Sequence, residues 1–289
     1  MRRPTLAGTF ASVREGLGAR VKLNNGVQMP WFGLGVFQVP RDSDAAAAVR
    51  AAIELGYRSI DTAALYRNER GVGEGLKSSG VPREELFVTT KVWNDDIRAG
   101  RVEAAFNHSL KLLGLDYVDL YLLHWPIRGR SVEAWRALER LLRSGRVRAI
   151  GVSNYMIPHL EELLAAAAVV PAVNQIEFHP YLQSKPLVAH CQRHGIQVEA
   201  WSPLQQAGPL LRDPVLTAIA RRLQRTVAQV VLRWDVQSGI ATIPKTVHPA
   251  RLAENAAIFD FALTDADMAA IAALDRNERN GADPFTFNF

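Results

Sequence analysis

Eight short β-rich runs alternate with helical stretches along this chain, and no linker separates any two of them. The runs fall at 32–36, 57–60, 86–90, 118–123, 147–152, 172–176, 197–200 and 240–243. Stretches with helical apolar spacing lie between and after them at 44–54, 68–78, 98–113, 131–143, 156–167, 186–193, 213–223 with 227–237, and 249–258. A further helix is expected at 265–274. Strands joined by helical crossovers run parallel, and eight such units close most simply into an α/β, (β/α)8 TIM barrel. The rival, a doubly wound sheet, lacks its signature: no GxGxxG opens a helix after a strand. Gly71-Val72-Gly73-Glu74-Gly75 sits inside a helical stretch without the Gly-Lys-Ser/Thr of a phosphate loop, which makes it a helix-packing face.

The ends of the barrel are legible too. Asn24-Asn25-Gly26 between apolar runs 21–23 and 27–29 is a tight hairpin turn, suited to plug one end. Residues 1–20 read as a flexible extension and 21–289 as one barrel domain. The tail from 276 carries Phe285, Phe287 and Phe289, expected to pack back on the body. Thr264 followed by Asp267 is a capping box, and Pro249 suits a first helical turn.

Composition excludes several classes. At 289 residues and 48% hydrophobic, the chain can bury one large core. The net charge of +5 is spread out, with no basic block for nucleic acid, although it favours an anionic cofactor. No apolar window is long enough for a membrane span, and no export signal opens the chain, so a cytoplasmic protein is expected. Cys191 is the lone cysteine, which rules out an internal disulfide and reads as an indifferent helical thiol.

Chemistry concentrates where the first runs end. Asp61 closes the second run, Tyr66 follows five residues later, Lys91 closes the third and His124 the fourth. Ionisable groups at the ends of buried strands are costly unless they pair or react, and a barrel keeps its site at the C-terminal strand ends. Alone, each residue has a bland use: a helix cap, a packing ring, a satisfied core group. Together they suggest an acid–base site. The Lys91 ammonium would favour the Tyr66 phenolate and bring its pKa down from about 10. Asp61 would offset and direct Lys91, and His124 would donate to a substrate oxygen. A metal held by Asp61, His124 and His179 is disfavoured by scattered ligands and by the neighbouring Lys91.

The later runs end differently. Ser153-Asn154, Gln175 with Glu177, and Trp201-Ser202 offer amides, hydroxyls and a flat indole, while Lys245-Thr246 and Arg251 form a basic and hydroxyl cluster suited to phosphate. One half of the site looks like acid–base machinery. The other looks like a bed for a phosphorylated aromatic cofactor.

These blocks resemble the aldo-keto reductases, in particular the bacterial 2,5-diketo-D-gluconate reductase-like branch. The resemblance rests on Gly33-Leu34-Gly35-Val36-Phe37, Tyr57-Arg58-Ser59-Ile60-Asp61-Thr62-Ala63, Thr89-Thr90-Lys91-Val92-Trp93-Asn94 and Leu122-Leu123-His124-Trp125-Pro126. Ile150-Gly151-Val152-Ser153-Asn154, Asn174-Gln175-Ile176-Glu177 and Ile243-Pro244-Lys245-Thr246 continue it. The resemblance implies NADPH-dependent reduction of an aldehyde or ketone, a small dicarbonyl or a keto-sugar such as 2,5-diketo-D-gluconate, with Tyr66 as general acid supported by Asp61, Lys91 and His124.

It implies a monomer, and a nicotinamide clamp of Ser153, Asn154 and Gln175 with Trp201 stacking. Ser202, Leu204 and Gln206 would lie under the pyrophosphate, and Lys245, Thr246 and Arg251 would clasp the 2′-phosphate. Glu254 and Asn255 would meet adenine, and Phe37, Trp93 and Trp125 would wall the substrate pocket. The chain departs from the family pattern at Leu204-Gln205-Gln206, where a Leu-Gly pair is usual, and at Thr246, commonly serine.

Overall fold

The computed structural model describes residues 16–287. Strands β1 (Arg20–Lys22) and β2 (Gln28–Pro30) form an antiparallel hairpin. The eight barrel strands follow: β3 (Leu34–Gly35), β4 (Ser59–Asp61), β5 (Phe87–Val92), β6 (Val118–Leu123), β7 (Val147–Ser153), β8 (Val173–Glu177), β9 (Gln197–Trp201) and β10 (Ala241–Thr242). Each pairs in parallel with the next in chain order. Parallel bridges Phe32–Thr242 and Gly35–Lys245 join the two edges and close the barrel. Closure removes both sheet edges and explains why the runs are near-continuously apolar: one face meets the interior, the other the helices.

Around the barrel lie α1 (Asp42–Glu54), α2 (Glu69–Ser78), α3 (Asn94–Arg98), α4 (Val102–Leu113), α5 (Ser131–Arg143), α6 (Ile157–Leu164), α7 (Lys185–Arg193), α8 (Pro214–Leu223), α9 (Val227–Gln237), α10 (Pro249–Ala256) and α11 (Asp265–Ala272). α5 shows the packing logic: Ala134, Trp135, Leu138 and Leu141 fall on one stripe and are buried. The caps behave as their side chains dictate. Thr226 and Thr264 each accept from the backbone three residues on, in full capping boxes, and Asp213 accepts from Val215 and Leu216. The 71–75 glycines serve packing, since a Cβ at Gly71 or Gly73 would collide with the backbone of Asp42 or Leu113.

The hairpin does cover the N-terminal end: Asn24 Nδ2 donates to the Pro171 carbonyl and Asn25 Nδ2 to that of Arg148. Three expectations need correction. The ordered body begins earlier than residue 21, because Ala19 is buried and Arg20 already pairs with Pro30. Residues 1–15 lie outside the described residues. The helix expected over 98–113 starts only at Val102, after a separate short helix Asn94–Arg98 and a turn in which Gly100 takes a left-handed φ of +68°. Strand β5 runs to Val92, so Lys91 lies inside it; its pairing with β6 continues to Val92–Leu123. Among the described residues no helix is long and apolar enough to cross a membrane.

Candidate active site

A cavity of about 840 Å³ opens at the C-terminal ends of the barrel strands. Every site residue implied by the family resemblance lines it except Lys91, which lies fully buried behind the wall, while Glu177 and His179 lie outside the lining. Position follows from topology. Asp61 ends β4, Ser153 ends β7, Trp201 ends β9, and His124 directly follows β6. Tyr66 sits in a short 3-10 turn after β4.

Lys91 binds the acid–base group together. Its Nζ lies 2.6 Å from Asp61 Oδ1, 3.0 Å from the Thr62 carbonyl and 3.3 Å from the Tyr66 hydroxyl. Three acceptors around one ammonium compensate its burial. Burial lowers the pKa of Lys91, but Asp61 and Tyr66 more than reverse this, so Lys91 stays charged. Burial raises the Asp61 pKa above the usual carboxylate value, against the pull of Lys91 and Gln175.

One sequence-based expectation fails in sign. Burial raises the Tyr66 pKa and outweighs the lowering by Lys91, so the group is a neutral phenol able to donate. Its half-buried ring is 5.8 Å from that of His124 and 5.0 Å from that of Phe37. Burial, helped by Lys91, holds His124 well below the usual histidine pKa, which leaves a neutral imidazole. Its Nδ1 is buried without a partner.

The opposite wall is made of amides. Ser153 Oγ donates to the Gln175 carbonyl (2.9 Å) and accepts from Asn154 Nδ2 (3.1 Å), which also donates to the His124 carbonyl. Asn154 takes a left-handed φ of +66°. Its Oδ1 accepts from Trp201 Nε1 at 2.8 Å, which fixes the indole. Below this wall lies Glu199, unread in the sequence. Its signal was an acid inside an otherwise apolar run. It accepts from Gln175 Nε2 at 2.7 Å.

Lys245 and Arg251 are exposed at the far end of the cavity, and neither enters an ion pair among the described residues. Thr246 Oγ1 accepts from the His248 amide, which leaves its proton free to donate. Glu254 is engaged by Thr226 at 2.7 Å. Two unpaired cations, a free hydroxyl, a fixed indole and a row of amides in one elongated cavity fit a phosphorylated dinucleotide. The Ser202–Ala207 turn departs from expectation: Ser202, Gln205, Gln206 and Ala207 all take positive φ without a glycine.

The tail completes the site. Phe287 stacks on Trp125 with centroids 3.9 Å apart and also meets Trp93. Phe285 is exposed and tilts against His159; Phe289 lies outside the described residues. His179, weighed as a metal ligand, pairs with Glu177 at 3.1 Å. Cys191 is buried, its thiol pushed up to about 11 by burial.

The profile of the Aldo/keto reductase family matches residues 31–276. Glyoxal reductase of Bacillus subtilis (strain 168) is 57% identical over 264 residues, covering 91% of this chain and 95% of its own. Methylglyoxal reductase DkgA of Escherichia coli (strain K12) is 47% identical over 270 residues, with 92% and 97% covered. The crystal structure of a Gox0644 variant in complex with NADPH superposes with a TM-score of 0.89 at 46% identity, covering 93% of this chain and 98% of that one. Family profile, sequence identity and superposition agree over most of the chain, and the chain belongs to the aldo/keto reductase family.

Proposed function

We propose that this chain reduces small 1,2-dicarbonyl compounds to hydroxy-carbonyl products with NADPH as cofactor. The observation that carries the reading is the Lys91 ammonium between Asp61 (2.6 Å) and the Tyr66 hydroxyl (3.3 Å) on the wall of the cavity. Likeness to glyoxal and methylglyoxal reductases supports the substrate class. So does the small aromatic mouth, where Phe287 closes on Trp125.

Bound NADPH supplies the hydride that reduces the carbonyl carbon. Ser153, Asn154, Gln175 and Trp201 hold its nicotinamide, and Ser202, Leu204 and Gln206 underlie its pyrophosphate. Lys245, Thr246 and Arg251 clasp its 2′-phosphate, with Glu254 and Asn255 by the adenine. Tyr66, a neutral phenol, gives its proton to the substrate oxygen as negative charge develops there. Lys91 stabilises the phenolate left behind, and Asp61 keeps Lys91 in place. Neutral His124 donates a second hydrogen bond to the same oxygen, so the developing charge meets donors already in position. Phe37, Trp93 and Trp125 shape the entrance.

NADPH consumption across glyoxal, methylglyoxal, keto-sugars and simple aldehydes tests this. The dicarbonyls should give the highest kcat/KM, and Tyr66→Phe should lose on the order of 100-fold or more in kcat. That variant should still quench with NADPH. A wild-type protein inert to every carbonyl overturns the reading, and full turnover by Tyr66→Phe overturns the role of Tyr66.

A further inference from the structure

Strand β9 turns one acidic side chain toward the buried site, Glu199, at 1% exposure. Its Oε2 lies 2.7 Å from Gln175 Nε2, and that nitrogen also lies 2.8 Å from Asp61 Oδ2. An atom between two carboxyl oxygens, one of them on the Asp61 group that accepts from Lys91 at 2.6 Å, is assigned as the amide nitrogen with both hydrogens engaged. The orientation of Gln175 is therefore set from below, and only its Oε1 is left for a ligand. Asp61 in turn holds Lys91, which reaches Tyr66. An unbroken series of contacts runs from Glu199 through Gln175, Asp61 and Lys91 to the phenol.

We propose that Glu199 is a further positioning residue of the reductase site, held as an uncharged acid that locks Gln175 against both the cofactor amide and the Asp61 carboxylate. The proposal rests on the roles given above to Gln175 and Tyr66. Charge balance supports it. Lys91 is the one cation in this buried group and is matched by Asp61, so a second carboxylate has no partner of its own. The strand neighbours of Glu199, Gln175 on β8 and Ala241 on β10, carry no charge. The charged groups acting on it are Asp61 on β4 and Lys91 on β5, and it acts in turn on Lys91 and Tyr66.

Burial first, then Asp61, push Glu199 up to about 8, against the pull of Gln175 and Lys91. An acid raised in the folded state binds its proton more tightly there than in the unfolded chain. Its favourable neutral form is therefore lost as pH rises through about 8. The charge that appears raises the proton affinity of Tyr66 further and makes it a weaker acid.

The test compares wild type, Glu199→Gln and Glu199→Leu as full chains. Infrared difference spectra without cofactor, between about pH 6 and pH 10, should show a protonated carboxyl band that disappears in wild type and is missing from Glu199→Gln. Buried Asp235, also raised by burial, contributes equally to both. With methylglyoxal and NADPH, the wild-type kcat should fall through a limb near 8 that Glu199→Gln lacks. Glu199→Leu removes one of the two acceptors that orient Gln175 Nε2 and should weaken NADPH by about tenfold in fluorescence titration, with Glu199→Gln restoring most of it. An unchanged carboxyl band in Glu199→Gln overturns the proposal, as does unchanged NADPH affinity in Glu199→Leu. A wild type that binds NADPH but reduces no carbonyl strikes the functional reading instead, and the infrared comparison still decides Glu199.

Discussion

Glu177 holds Gly281 by its backbone: Oε2 accepts the Gly281 N–H at 3.0 Å, while Oε1 accepts that of Asn280 at 2.6 Å. A buried carboxylate at the end of β8 thereby fixes a tail segment more than 100 residues away. Gly281 is required there for space, since a Cβ would collide with the six-membered ring of the Trp201 indole. Gly281→Val should displace the tail, lift Phe287 from Trp125, and raise KM for methylglyoxal by about tenfold, the scale of 1–2 kcal/mol of lost apolar contact. Steady-state kinetics check this. An unchanged KM would show that the tail does not shape the substrate site.

The same clasp responds to acid. Burial raises the Glu177 pKa, but His179 and the Asn280 and Gly281 amides more than offset it, so the net shift is downward from 4.5. A depressed folded-state pKa means that the stabilisation is complete above the unfolded value and is lost as pH falls through the folded one. The tail should therefore stay clasped at neutral pH and release only below the ordinary carboxylate range. Amide NMR shifts of Asn280 and Gly281 should titrate together there in wild type and stay flat in Glu177→Gln. Titration at or above the ordinary carboxylate value would contradict the assignment.

What was legible in the sequence follows physical range. The barrel, the hairpin turn and the caps depend on local pattern, and Asp61, His124, Ser153 and Gln175 could be placed because strand ends share one face of a barrel. Lys91 was recognised although its strand runs two residues beyond the expected end. Glu199 was missed because a single acid in a five-residue strand looks solvent-facing until closure turns that face inward. The sign of the Tyr66 shift depends on how burial compares with the Lys91 charge, a balance set by surrounding packing. The Glu177–Gly281 clasp has no local signature, because its partners come from β8 and the tail.

Cofactor preference should reside in the exposed cations. Arg251 opens α10 beside Lys245 and Thr246 and has no acidic partner among the described residues. A charge-assisted bond to a phosphate contributes about 1.5–3 kcal/mol. Arg251→Ala should thus weaken NADPH by roughly 10- to 100-fold and leave NADH within about threefold. Fluorescence titration with both nucleotides measures the difference. Equal losses would remove Arg251 from the 2′-phosphate.

The Lys91–Asp61 pair should show a large, pH-dependent coupling. Both side chains are buried and 2.6 Å apart, so removing one strands the other's charge, at about 3–5 kcal/mol. Lys91→Met and Asp61→Leu should each lose stability on that scale in urea unfolding, and the double variant should lose much less than their sum. The sign with pH separates this from a simple packing defect. Without Lys91, burial raises Asp61 further above its unfolded value, and the native state then binds a proton that the unfolded chain releases. Lys91→Met should accordingly be more stable at mildly acidic than at neutral pH relative to wild type. Additive losses, or a deficit that does not change with pH, would mean that the two charges do not depend on each other.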